Sequence, residues 1–129
     1  MDALSKYRPL LLSVLRIMAG LLVMQHGTTK LLGFPETQMS GVSIASMVGI
    51  AGVIELVCGA LVVIGFQTRI AAFLLSGMTA VAYWMVHAGS SFYPIVNGGE
   101  LAALYCFVFL YIAAAGPGPL SIDAQAGRR

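Results

Sequence analysis

Arg16, His26, Lys30, Glu55, Arg69, His87, Asn97 and Glu100 carry chemistry that hydrocarbon solvates poorly, and all of them lie in or beside apolar stretches. The densest run is Met24-Gln25-His26-Gly27-Thr28-Thr29-Lys30-Leu31-Leu32-Gly33-Phe34-Pro35. On a helix, His26 lies one turn before Lys30, and Arg16 lies about four turns before it, so the three share one side. An imidazole donates hydrogen bonds or relays protons, an ammonium stabilises a developing anion, and a carboxyl holds or exchanges a proton. Quinone carbonyls need such donors and their reduction needs protons, while apolar helix faces suit a lipophilic tail. Ionisable residues inside a membrane are by default a functional-site hypothesis.

The elements that must position these groups follow from composition. The 129 residues are 59% hydrophobic and 9% charged, with a mean hydropathy of +0.91. A soluble domain carries about 25% charged residues, so the expected solvent is a bilayer. The net charge of +2 is small, and no basic cluster with interleaved aromatics is present, which sets nucleic acid aside. Cys58 and Cys106 have no CxxC spacing and read as small core residues rather than a redox pair or metal site. No small-residue cleavage pattern follows a short apolar run near the N-terminus, so the first apolar segment is expected to remain in the mature protein.

The reading is all-α: an integral membrane bundle of four antiparallel helices forming one domain. The expected helices span 9–32, 42–66, 69–88 and 98–115. Pro9 suits a first helical turn, the segment around Pro35 breaks the first helix, and Gly116-Pro117-Gly118-Pro119 stops the fourth. Residues 116–129 are expected to form a mobile tail. Four spans place both termini on one side, with Lys6, Arg8, Arg69, Arg128 and Arg129, and the positive-inside bias makes that side cytoplasmic. Loops 33–41 and 89–99 then face the exterior.

Depth sorts the polar groups. At 1.5 Å per residue, His26, Lys30, His87, Asn97 and Glu100 fall in the outer third of the bilayer as one layer from three helices, the candidate ligand site. Glu55 falls near mid-span with small neighbours Ala51, Gly52, Cys58 and Gly59. Arg16 lies somewhat nearer the cytoplasmic face, and the expected buried ion pair is Arg16 with Glu55, either structural or part of the site. Arg69 reads as a snorkelling interface anchor. In the third span Arg69, Ser76, Thr79, Tyr83 and His87 form a polar stripe. In the fourth, Asn97, Glu100, Leu104 and Tyr111 share a face, with Tyr105 adjacent.

The segment Arg16 to Gly20, the run His26-Gly27-x-x-Lys30-Leu31 with Gly33-Phe34-Pro35, Glu55 with Gly59, the Gly65 to Ala71 turn with Arg69, His87, and Asn97 with Glu100 resemble the DoxX family of small four-helix bacterial membrane proteins. The resemblance runs from about Arg8 to Ala115. It implies an inner-membrane protein associated with oxidoreductase systems, and it marks Arg16, His26, Lys30, Glu55, Arg69, His87, Asn97 and Glu100 as matching polar positions. Relatives include subunits linked to thiosulfate:quinone oxidoreduction and terminal quinol oxidation. The chain has no CxxCH and no clustered cysteines, so electron transfer would require a quinone or a partner carrying the redox centre. Two readings stand: a quinone site in the outer polar layer, or a non-catalytic anchor docking a redox enzyme through loops 33–41 and 89–99. Haem between His26 and His87 is a lesser option, and self-association into a homo-oligomer stays open.

Overall fold

The computed structural model describes all 129 residues, and every regular element is helical. In chain order these are α1 (Asp2–Ser5), α2 (Arg8–Leu32), α3 (Met47–Ile64), α4 (Thr68–Ala82) continued by a π-helical turn (Tyr83–His87), α5 (Pro94–Asn97), α6 (Glu100–Ala115) and α7 (Ile122–Gln125). Pro9 opens α2 and Gly33 closes it in the left-handed region at φ 69°, a conformation glycine adopts without a Cβ penalty. Three segments, Arg8–Leu32, Met47–Ile64 and Thr68–His87, are long and apolar enough to cross a membrane. The helix Glu100–Ala115 is apolar but shorter.

Two helix starts differ from the sequence expectation. Residues 42–46 do not join α3; Ser46 caps it at Met47 instead, its side chain accepting from the Gly49 N–H at 3.0 Å. Residues 98 and 99 stay outside α6 because Gly98 takes φ 76°, ending the short α5 before α6 begins at Glu100.

Packing runs α2 on α3, α3 on α4, α4 on α6, with a lighter contact closing α6 onto α2. Small residues set the closest approach. A Cβ on Gly27 would lie 2.6 Å from the Leu56 nitrogen and 2.7 Å from the Gly52 oxygen, and one on Gly20 would lie 2.9 Å from a Val63 methyl and 3.2 Å from the Gly59 oxygen. As numbers fall along α2 from Gly27 to Gly20, their facing positions therefore rise along α3 from Gly52 to Val63. The shared core contains Val23, Val62, Leu75, Phe109 and Ile112. The outward side is the more apolar one: on α2, Leu10, Leu11, Val14, Leu15, Met18, Leu21 and Leu22 are exposed while Ser13, Arg16 and Thr29 are buried. Such an inversion suits lipid as the surrounding solvent.

The expected mobile tail is instead folded against the helices. Buried Asp123 accepts hydrogen bonds from the main-chain N–H groups of Gln67 at 3.0 Å and Thr68 at 2.9 Å, and from Arg128 Nε at 3.0 Å. These two N–H groups lie at the start of α4, where no intrahelical acceptor exists, and a carboxylate there also meets the positive end of the helix dipole. Burial alone would raise the Asp123 carboxyl, but the bonds from Thr68, Arg128 and Gln67 outweigh it and hold the pKa down at about 2. A carboxyl lowered in the folded state stabilises above its ordinary range and loses that contribution as pH falls through the folded value. Asp123→Asn is therefore expected to cost about 2 kcal/mol at pH 6. Thermal midpoints of wild type and variant should converge as pH drops from about 4 to about 2, and a pH-independent gap would contradict this role.

Candidate functional site

Arg16 does not pair with Glu55. Its fully buried guanidinium donates Nε to the Val62 carbonyl at 2.8 Å, one Nη to the Leu120 carbonyl at 2.6 Å and, more weakly, to Val63 at 3.4 Å, and its other Nη to Pro117. The Val62 and Val63 carbonyls belong to the last turn of α3, where the helix dipole is negative and Val62 otherwise accepts only from the capping Gly65 N–H at 3.2 Å. Asp123 is the carboxylate whose charge reaches Arg16. The register explains the correction. Arg16 is level with Gly65, where a Cβ would sit 3.2 Å from the Arg16 guanidinium carbon, whereas Glu55 lies about 10 Å back along α3 from Val62. Glu55 is near mid-helix in both 42–66 and Met47–Ile64, but the first turns of α2 run past the end of α3, so Arg16 falls beside the α3 C-terminus.

Glu55 pairs with Lys30 instead, Oε1 to Nζ at 2.6 Å, with side chains only 7% and 14% exposed. Gly52, one turn before Glu55, leaves room for the lysine stem; a Cβ there would lie 3.1 Å from Lys30 Cβ. One turn before Lys30, His26 meets the ring of Tyr105 from α6 edge-on, 6.4 Å between centroids and 87° between planes. The Glu55 charge also reaches Tyr105. Between His26 and Lys30, buried Thr29 bonds Thr37 Oγ1 at 2.9 Å and Ser40 Oγ at 3.2 Å and donates to the Pro35 carbonyl, fastening loop 33–41 over this end. An ammonium, a carboxylate, an imidazole and a phenol from three helices thus occupy one neighbourhood. They can donate to an oxygen-bearing ligand and exchange protons with it.

The rest of the expected outer layer is a separate cluster. His87 Nδ1 lies 3.1 Å from the Asn97 carbonyl oxygen, and the Asn97 amide donates to the Tyr83 hydroxyl and the Ser91 carbonyl, both at 3.1 Å. Asn97 Oδ1 accepts from the Gly99 N–H at 2.8 Å. Asn97 is thereby committed to clamping loop 89–99. Gly99 permits the fit, since a Cβ would come within 2.7 Å of the Tyr83 ring. A cavity of about 440 Å³ adjoins this clamp, walled by Tyr83, Trp84, Phe92, Cys106 and Phe107. Glu100 is exposed in the first turn of α6. No three side chains of the His, Cys, Asp and Glu types converge.

Arg69 is exposed but more than an anchor. Its Nη1 donates to the Ala113 carbonyl at 3.0 Å and its Nε to the main-chain oxygen of Arg129 at 2.7 Å, tying the start of α4 to the end of α6. Sequence reasoning overlooked Asp123, whose only local signal is Ser121 two residues before it, a helix cap that accepts from the Ala124 N–H at 3.0 Å. It also left Tyr105 beside the polar stripe rather than in the site.

The DoxX family model matches residues 11–88, from the first turn of α2 to just past the π-helical turn. A protein of Haemophilus influenzae described only as uncharacterized is 44% identical over 128 residues, covering 95% of this chain and 96% of its own length. A second uncharacterized protein of the same organism is 33% identical over 69 residues, 54% of this chain and 46% of its own. No solved structure matches. With a family match over more than half its length and a near full-length relative, and with apolar helices that expose their oily sides, this chain belongs to the DoxX family of membrane proteins.

Proposed function

We propose that the protein is a subunit of a quinone-linked redox system in the bacterial inner membrane, with its ligand site at His26, Lys30, Glu55 and Tyr105. The observation that carries this reading is the buried Lys30–Glu55 pair beside the His26–Tyr105 contact. Charges withdrawn from water in a membrane helix are costly, and here they stand next to two further proton-bearing groups. Reducing a quinone to a quinol takes two electrons and two protons. The electrons come from a partner with a redox centre, and His26 and Tyr105 offer hydrogen bonds and protons to the carbonyl oxygens. In this reading four antiparallel spans cross the bilayer with both termini in the cytoplasm, supported by Lys6, Arg8, Arg69, Arg128 and Arg129 at one end of the helices. A reporter fused after Arg129 would be active in the cytoplasm.

A second reading, a docking anchor for a redox enzyme, has its own support in loop 89–99, which exposes Phe92, Tyr93, Ile95 and Val96. One set of purifications separates the two. Under the ligand reading, wild type retains or binds a quinone analogue, and His26→Ala weakens it about tenfold, the worth of one hydrogen bond of about 1.4 kcal/mol. Wild type that binds no quinone, while a co-purifying enzyme is lost on changing Phe92 and Ile95 but kept in His26→Ala, would select the anchor.

A further inference from the structure

At the end of the molecule opposite the Lys30–Glu55 pair, an open cavity of about 850 Å³ lies between the start of α2, the end of α6 and the folded tail. Arg8, Arg128 and Arg129 line it, and no acidic side chain does. We propose that this cavity binds the phosphate headgroup of an acidic phospholipid, with an acyl chain lying along the flank between α2 and α6.

The arginines are presented for such a ligand. Arg8 uses its Nε on the Ser5 carbonyl at 3.2 Å, and Arg128 uses its Nε on Asp123 at 3.0 Å. The paired terminal nitrogens of both remain available, and this fork matches two phosphate oxygens. Arg69 holds the main-chain oxygen of Arg129 at 2.7 Å and so keeps the neighbouring arginines against the end of α6. Asp123 offsets Arg128, its partner at 3.0 Å, while Arg8 and Arg129 have no acidic side chain paired with them and supply the positive field of the cavity.

The remaining wall is apolar. Leu12 and Tyr111 continue the cavity toward the exposed sides of both helices, where Leu15 and Leu104 face outward. The contact between α2 and α6 is lighter than those of α2 with α3, α3 with α4 and α4 with α6, so this flank is the less closely packed side of the ring. Charge at one end and an oily, loosely packed flank beside it match a lipid better than a free anion, and basic pockets between membrane helices are known lipid-headgroup sites. This inference does not depend on the quinone reading.

The test uses the full chain in neutral detergent, titrated with dioleoyl phosphatidylglycerol, dioleoyl phosphatidylcholine, or inorganic phosphate and pyrophosphate at matched phosphorus concentration. Phosphatidylglycerol is expected to raise the thermal midpoint saturably, and the other additions to leave it unchanged. Arg8→Gln combined with Arg129→Gln, neither of which makes a side-chain bond to the helix core, should weaken half-saturation about 30-fold, from about fivefold per arginine near a membrane surface. Native mass spectra read occupancy independently of stability, with one phosphatidylglycerol kept by wild type and lost by the double variant. Equal responses to the two lipids, or an unaltered response in the variant, would overturn the proposal. Full stabilisation by phosphate or pyrophosphate would overturn the lipid assignment in favour of a free anion.

Discussion

Arg16→Met is expected to lower stability by about 3–5 kcal/mol and to release the tail. The change leaves the carbonyls of Pro117 and Leu120 without their donor and Val62 with only the Gly65 N–H at 3.2 Å in a buried setting, and hydrogen bonds to charged groups contribute about 1.5–3 kcal/mol each, partly offset by relief of the arginine's own desolvation. Because two of these carbonyls belong to the segment after α6, the loss should be visible as faster proteolysis between residues 116 and 129. Arg16→Lys keeps the charge but not the planar fork, so it should fall between wild type and Arg16→Met. A thermal midpoint in Arg16→Met within error of wild type, with the tail still protected, would show that the carbonyl cage does not hold the fold.

The second large effect belongs to the Lys30–Glu55 pair. Either Lys30→Met or Glu55→Leu removes one partner of a buried ion pair and is expected to cost about 3–5 kcal/mol, whereas the two together should recover most of it. A double-mutant cycle in thermal stability reads the coupling. The control is Arg16→Met with Glu55→Leu, for which no recovery is expected because the two side chains occupy different levels of the α2–α3 interface. Recovery in that control would restore the pairing of Arg16 with Glu55. If the Lys30→Met, Glu55→Leu protein is stable yet has lost quinone-analogue binding, the pair serves the ligand as well as the fold.

Much of this protein is legible one residue at a time. A 9% charged, 59% hydrophobic chain places itself in lipid, because the polar atoms needed to cover a water-facing surface are absent. Pro9, Gly33, Gly65 and Gly116 mark helix ends through local backbone constraints. The scarcity of ionisable residues in apolar segments singled out Arg16, His26, Lys30 and Glu55 before any contact was known.

The choice of partners among them was decided only in three dimensions. Each residue advances a helix by 1.5 Å, and because the first turns of α2 run past the end of α3, Arg16 meets Val62 and Val63 while Glu55, about 10 Å back along α3, meets Lys30. The start of α3 is set separately by Ser46 capping at Met47, a choice the apolar run from Val42 onward does not reveal. Interhelical register comes from close backbone approach at Gly20, Gly27 and Gly59, and those glycines carry no record of which neighbour they will meet. The same holds for the tail. Asp123 and Arg128 look like ordinary polar surface residues until α4 and the end of α3 present unsatisfied N–H and carbonyl groups to that segment, because composition reports which groups need partners, whereas only the packed helices determine which partners come within reach.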